Sequence, residues 1–193
     1  KVLLLFSGGL DSILAAKILS QQARVTGLNF TSFFFGSQIA QKMAKQIGLK
    51  LKIVDFSQEH LKIVKKPNYG YGQAINPCID CHLLMLKLAR KIMIKSGYDL
   101  VATGEVLGER PMSQNKKSID LIEKKAGLGG YLLRPLSAKL LLPSVAEKRG
   151  LIEREKLLAI SGRSRKPQLA LVKKFKIKNY PTPAGGCLLC EIE

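Results

Sequence analysis

The sequence predicts an α/β protein built on a doubly wound, mostly parallel sheet. Three observations carry that expectation. Short apolar runs such as Val2–Phe6 alternate with segments of helical period. Val2–Phe6 is apolar throughout, as a strand buried on both faces is. The first run also passes through a glycine-containing turn, Ser7–Ser12, straight into a helical pattern.

Taken in order, Val2–Phe6 is a strand and Ile13–Gln21 a helix, with Ala15, Ala16, Ile18 and Leu19 inward. Arg24–Phe30 is the second strand. Gly36–Ile47 is helical, with Ile39, Met43 and Ile47 on one face and Gly48 as its stop. Leu49–Phe56 is the third strand. From Ser57 to Asn76 the periodicity weakens, and Asn68–Gly72 reads as an aromatic loop. Cys81–Ser96 is an amphipathic helix, with Leu84, Leu88, Ala89 and Ile92 inward and Gly97 closing it. Leu100–Thr103 and Leu132–Leu133 are strands, with a short helix at Ile119–Lys125 between them. Leu140–Lys148, Arg154–Ile160 and Pro167–Phe175 read as helices. Residues 1–150 are expected to form one domain. Residues 151–193 are then a basic, helical, cysteine-containing extension packed on it.

The chain has 193 residues, 46% hydrophobic and 24% charged, which is globular composition and argues against disorder, collagen or coiled coil. No apolar run approaches the roughly 20 residues of a membrane span. A cytoplasmic, membrane-free protein is the expectation. Lys1 in place of an initiator Met reads as a trimmed chain. Lys and Arg number 32 against 14 Asp and Glu, a net charge of +18. Such an excess suits a polyanionic partner, nucleic acid above all, although a lysine-rich surface alone also produces it. A dense basic group, from Arg163, Arg165 and Lys166 to Lys173, Lys174, Lys176 and Lys178, is the candidate for RNA phosphates. The guanidinium groups near Arg165 could instead reach a nucleotide.

The most informative stretch is Ser7-Gly8-Gly9-Leu10-Asp11-Ser12. A strand–turn–helix of this kind aims backbone N–H groups at an anion, and glycine lets the backbone approach it closely. Ser7 and Ser12 add hydroxyls. Asp11 beside bound phosphate implies a divalent cation between them. The loop lacks the G-K-[ST] ending of a Walker A motif and is not G-x-G-x-x-G.

Four cysteines form two C-x-x-C pairs, Cys78/Cys81 and Cys187/Cys190. In a chain with no sign of secretion this spacing means metal or redox chemistry. Zinc, iron–sulfur and a persulfide or redox pair all remain open on spacing alone. His82 reads as a solvated or supporting group beside Cys81, and His60 has no assigned role.

The S-G-G-x-D-S hexapeptide resembles the PP-loop family of ATP pyrophosphatases, a Rossmann-like fold of the adenine nucleotide alpha hydrolase type. That family holds the pyrophosphate end of ATP in the loop, adenylates a carbonyl oxygen and releases pyrophosphate. Ala102–Gln114 and Leu133-Arg134-Pro135-Leu136 resemble the T-G-E-x-L-G-x-x-x-S-Q and L-R-P-L stretches of tRNA 4-thiouridine synthases. Arg154-Glu155-Lys156, Ile160–Arg165 and Thr182–Cys187 are similar to shorter thiouridine-synthase-like chains. The resemblance implies an ATP-dependent tRNA sulfurtransferase that uses Mg2+, a sulfide or persulfide donor, and tRNA. It implies nucleotide contacts at Ser7, Gly8, Gly9, Asp11, Ser12, Asn29, Phe30, Thr103, Gly104, Glu105 and Gln114, with Asp11 and Cys187 catalytic. It also implies a [4Fe–4S] cluster on Cys78, Cys81 and Cys187, with Cys190 the least secure ligand and zinc the alternative metal.

Overall fold

The computed structural model describes residues 1–72, 74–181 and 187–190. Among these, five strands form one parallel sheet: β1 (Val2–Leu5), β2 (Val25–Thr31), β3 (Lys50–Asp55), β4 (Leu100–Ala102) and β5 (Leu132–Leu133). Their order is β3-β2-β1-β4-β5. The chain builds outward from β1 in one direction and then returns to build in the other. The reversal lies between β1 and β4, and a crevice for ligand opens beyond the carboxyl ends of strands at such a point.

The helices are α1 (Leu10–Leu19), α2 (Gln38–Ile47), α3 (Ser57–Lys65), α4 (Cys78–Ser96), α5 (Lys116–Ala126), α6 (Val145–Lys148) and α7 (Lys166–Lys174). They cover both faces of the sheet. Val2 and Leu4 pack with α1, α2 and Ile177 on one side, whereas Leu3 packs with Leu86, Ala89 and Ile122 on the other. Strand side chains alternate between faces, so burial on both sides is what makes β1 apolar at every position. Ile152, Leu157 and Ile160 join the same cluster as β1. Among the described residues, no helix is long and apolar enough to cross a membrane.

Several expected elements differ in detail. Helix α1 starts at Leu10 and is buried nearly all round, so its inward stripe is wider than expected, with Leu10, Ile13 and Leu14 also covered. On α2 the buried residues are Ala40, Met43 and Ala44, and Ile39 is exposed. Gly48 does end α2, in the left-handed conformation that only glycine adopts freely. Helix α3 was missed because its only buried residue is His60, and a helix without an apolar stripe has no readable period. Helix α4 begins three residues early, at Cys78, and buries Leu83, Leu86, Ala89 and Met93. Its buried face is thus turned from the expected one, leaving Leu84, Leu88 and Ile92 at the margin. Leu140–Lys148 holds only the short α6, and Arg154–Ile160 only a 3-10 turn at Arg154–Lys156.

Candidate active site

The Ser7–Ser12 loop is formed by its own hydrogen bonds. The Gly8 amide donates to Ser12 Oγ at 3.1 Å, and Ser12 Oγ donates to the Gly9 carbonyl at 2.8 Å. The Gly9 amide donates to Ser7 Oγ at 3.2 Å. The two serines therefore shape the loop, and an entering anion competes with them for the glycine N–H groups. Gly8 sits at φ +80°, and a Cβ there would meet the backbone of Ala40 at 2.9 Å. Glycine is required at that position twice over.

Beneath the loop, Asn29 Nδ2 donates to the Phe6 carbonyl at 2.9 Å and ties the ends of β1 and β2 together. Beside it, Gly104 follows β4. A Cβ on Gly104 would lie 2.7 Å from the Ser12 amide nitrogen. The chain leaving β4 thus meets the first turn of α1 at the reversal of strand order, through a contact that admits no side chain.

A cavity of about 400 Å³ opens at this junction. Of the sequence-predicted residues, Ser7, Gly9, Asp11, Ser12, Phe30, Thr103, Gly104, Glu105 and Gln114 line it, together with Cys78, Cys81, Cys187 and Cys190. Gly8 and Asn29 are not among its lining residues and support the loop from behind. Phe6, Leu28, Phe35 and Leu86 supply an apolar floor suited to a planar base. The Asp11 Oδ1 and Gln114 Oε1 atoms are buried without a hydrogen-bond partner among the described residues. Burial raises the Asp11 carboxyl above its usual range, against the pull of Arg165, Gln168 and Arg110. Buried acceptors left without donors at a loop that favours anions fit a cation-bearing phosphate ligand.

The cysteines converge from two distant parts of the chain. Cys78 and Cys81 occupy the first turn of α4. The tail reaches them by docking on the β2–α2 loop, where the Leu188 amide donates to the Phe34 carbonyl at 3.1 Å. Asn76 Nδ2 lies 3.3 Å from Cys78 Sγ and 3.6 Å from Cys190 Sγ. Burial raises the Cys78 and Cys81 thiols, and the neighbouring thiols raise them further. Cys187 is raised to about 11, first by burial. The donor set suits a thiophilic metal in kind. In placement, no three His, Cys, Asp or Glu side chains among the described residues stand ready to hold an ion. The thiols are close enough to feel one another's charge but are not drawn together around a centre. The Thr182–Gly186 part of the family resemblance lies outside the described residues.

Sequence reasoning missed a buried charge network along the cavity wall. Glu105 accepts from Thr103 Oγ1, Arg134 Nε and His82 Nδ1, each at 2.9 Å. Arg134 also donates through Nη1 to Glu123 at 2.8 Å. Burial alone would raise Glu105, but the Arg134 guanidinium beside it and the His82 contact outweigh that and hold it at about 2. Arg134 stands in the L-R-P-L stretch, so the signal was present and unread. His60 is wholly buried against Phe56, with ring centroids 4.9 Å apart, and both its nitrogens lack hydrogen-bond partners among the described residues. Burial lowers its pKa, and it lines the cavity floor. No local pattern announces it. Glu109 and Arg110 line the same cavity within a stretch already singled out.

Residues 1–143 match the family described as the tRNA methyl transferase HUP domain. The chain belongs to that family. A tRNA sulfurtransferase of Desulfurococcus amylolyticus is 28% identical over 148 residues, covering 70% of this chain and 29% of the relative. A tRNA-specific 2-thiouridylase MnmA of Sulfurimonas denitrificans is 35% identical over 122 residues, or 55% of this chain and 35% of the relative. A probable tRNA sulfurtransferase of Brevibacillus brevis is 30% identical over 148 residues, 72% of this chain and 35% of the relative. The chain thus spans about a third of the length of these relatives. A crystal structure described as a predicted subunit of tRNA methyltransferase from Methanocaldococcus jannaschii is alike in fold, with a TM-score of 0.52 and 20% identity. That likeness covers 90% of this chain and 75% of the other. The expected likeness to PP-loop enzymes of tRNA thiolation, and the doubly wound fold, are both borne out.

Proposed function

We propose that this chain binds ATP at the Ser7–Ser12 loop, adenylates a carbonyl oxygen of a tRNA uridine, and replaces that oxygen with sulfur. One observation carries the reading. A single cavity brings the phosphate loop and all four cysteines together across more than half of the sequence. The names of the relatives, tRNA sulfurtransferases and 2-thiouridylases, point to the same class of reaction.

In the first step the uracil oxygen attacks the α-phosphorus and the bond to the β-phosphate oxygen breaks. The loop N–H groups and the start of α1 receive the charge that develops on the pyrophosphate. Asp11 would hold the Mg2+ that accompanies the triphosphate. In the second step sulfide attacks the activated carbon, and AMP leaves with the former carbonyl oxygen. Where the sulfur arrives instead as a cysteine persulfide, its outer sulfur attacks, AMP leaves, and a neighbouring thiolate then cleaves the resulting S–S bond, leaving a protein disulfide and the free thiocarbonyl. Cys187 is the proposed catalytic thiol, facing the cavity beside Cys78, Cys81 and Cys190. A [4Fe–4S] cluster on Cys78, Cys81 and Cys187 would supply an iron position for sulfide. Glu105, held by Arg134, fixes the His82 ring at the cavity wall. The apolar floor excludes water from the adenylated base, which would otherwise hydrolyse back to uridine.

A second reading has the four thiols hold a closed zinc site. The position of Cys190 favours it, since its sulfur shares the Asn76 amide with Cys78. Labelled ATP separates turnover from mere binding. With tRNA and sulfide present, AMP and pyrophosphate should appear together, and Asp11→Ala should release neither while keeping its fold. Release of ADP and phosphate instead would overturn the adenylation reading.

A further inference from the structure

The segment between α6 and α7 crosses the open end of the sheet. Ser161 forms a parallel bridge with Leu107, and the Gly162 amide donates to the Leu107 carbonyl at 2.7 Å. Gly108 and Gly162 face each other there, and a Cβ on Gly108 would stand 3.5 Å from the Gly162 nitrogen. Beyond this crossing, α7 packs along α1, the helix that the phosphate loop opens.

The buried residue of α7 is Gln168. None of it is exposed, and neither atom of its amide has a hydrogen-bond partner among the described residues. The amide lies against the Asp11 carboxyl, near enough to oppose the rise that burial gives its pKa, and Asp11 Oδ1 is itself buried without a hydrogen-bond partner among the described residues. Arg165, one turn earlier, exerts its charge on both Asp11 and Glu109. Buried polar atoms are nearly always paired, so the Asp11 Oδ1 atom, which lines the cavity and has no hydrogen-bond partner among the described residues, marks a place for a ligand. All of these α7 groups lie beyond residues 1–143, the part shared with the family.

We propose that the C-terminal segment forms a second wall of the phosphate site, with Arg165 contacting the pyrophosphate group of the nucleotide and Gln168 acting as a positioning residue for Asp11. The inference rests on the ATP reading above. The planar guanidinium fork matches phosphate oxygens, and the N-terminus of α7 adds a favourable dipole. A neutral amide suits the place beside Asp11. A lysine there would pair with the carboxylate and take it from the cation, whereas glutamine fixes its orientation and leaves its charge available.

The test is calorimetric titration of inorganic pyrophosphate into the full chain, with and without Mg2+. Arg165→Gln is expected to weaken binding about tenfold or more in both conditions, because a charge-assisted hydrogen bond is lost. Gln168→Met is expected to weaken binding only with Mg2+, and to add nothing in an Asp11→Asn background, because the two act as one unit. Thermal melts without ligand establish that each variant is folded. If Gln168→Met does not fold, Gln168→Glu keeps the packing and sets a second carboxylate beside Asp11, which must weaken binding. Unchanged binding by Arg165→Gln, alongside loss by Asp11→Asn, overturns the second wall and leaves the loop reading standing. Additive losses in the Asp11/Gln168 double variant, or unchanged binding by Gln168→Glu, overturn the positioning role. A wild-type chain that does not bind pyrophosphate overturns both readings.

Discussion

Replacing Glu105 with Gln removes the charge at the centre of the buried network while keeping its shape. Glu105 is held at about 2, against a value of 4.5 for a free glutamate. Each unit of depression is worth about 1.4 kcal/mol, so the ionised carboxylate contributes about 3 kcal/mol to folding. Removing one partner of a buried ion pair costs about 3–5 kcal/mol by an independent measure, which agrees. The sign follows from the direction of the shift. A depressed carboxylate stabilises fully above about pH 4.5, and its contribution is lost as pH falls through about 2. Urea unfolding of both proteins across that range cancels, in the difference, the titrating groups that do not touch Glu105. Glu105→Gln should be about 3 kcal/mol less stable at neutral pH, with roughly half that gap left near pH 3. A gap independent of pH would refute the charge argument and leave only a packing defect.

Gly104→Ala should disturb the loop, because its new Cβ lies 2.7 Å from the Ser12 nitrogen. Calorimetry should show weakened ATP binding together with about 1–3 kcal/mol of lost stability. For the cysteines, metal analysis after anaerobic purification should find iron retained in Cys190→Ala and lost in Cys187→Ala. Equal loss in both would favour a closed four-thiol site. The affinity of tRNA should fall steeply with salt, and Gln at Lys173, Lys174, Lys176 and Lys178 should lower the slope. An affinity indifferent to salt would assign these lysines to the surface alone.

The order of elements and the phosphate loop were legible because both leave a local record. An apolar run is a buried strand, and a glycine pair at a strand–helix junction has few other uses. Gly104 was found through the strand it follows. The two cysteine pairs were legible as pairs, but their meeting depends on the tail docking against the β2–α2 loop, which no spacing encodes. Arg134 and Glu105 lie 29 residues apart, so their pairing emerges only once β4 and β5 are neighbours. His60 and Gln168 were invisible for a related reason. Each is the one buried residue of a helix whose other residues are exposed or only partly covered, and periodicity reads such positions as surface.

Mass spectrometry of tRNA nucleosides, after incubation of the protein with tRNA, ATP, Mg2+ and sulfide under anaerobic conditions, tests the proposed thiolation most directly. A thiouridine should appear, require ATP, match the pyrophosphate released, and be absent with Asp11→Ala. Pyrophosphate release without any thionucleoside would contradict tRNA as the acceptor, and a thionucleoside formed without ATP would contradict adenylation.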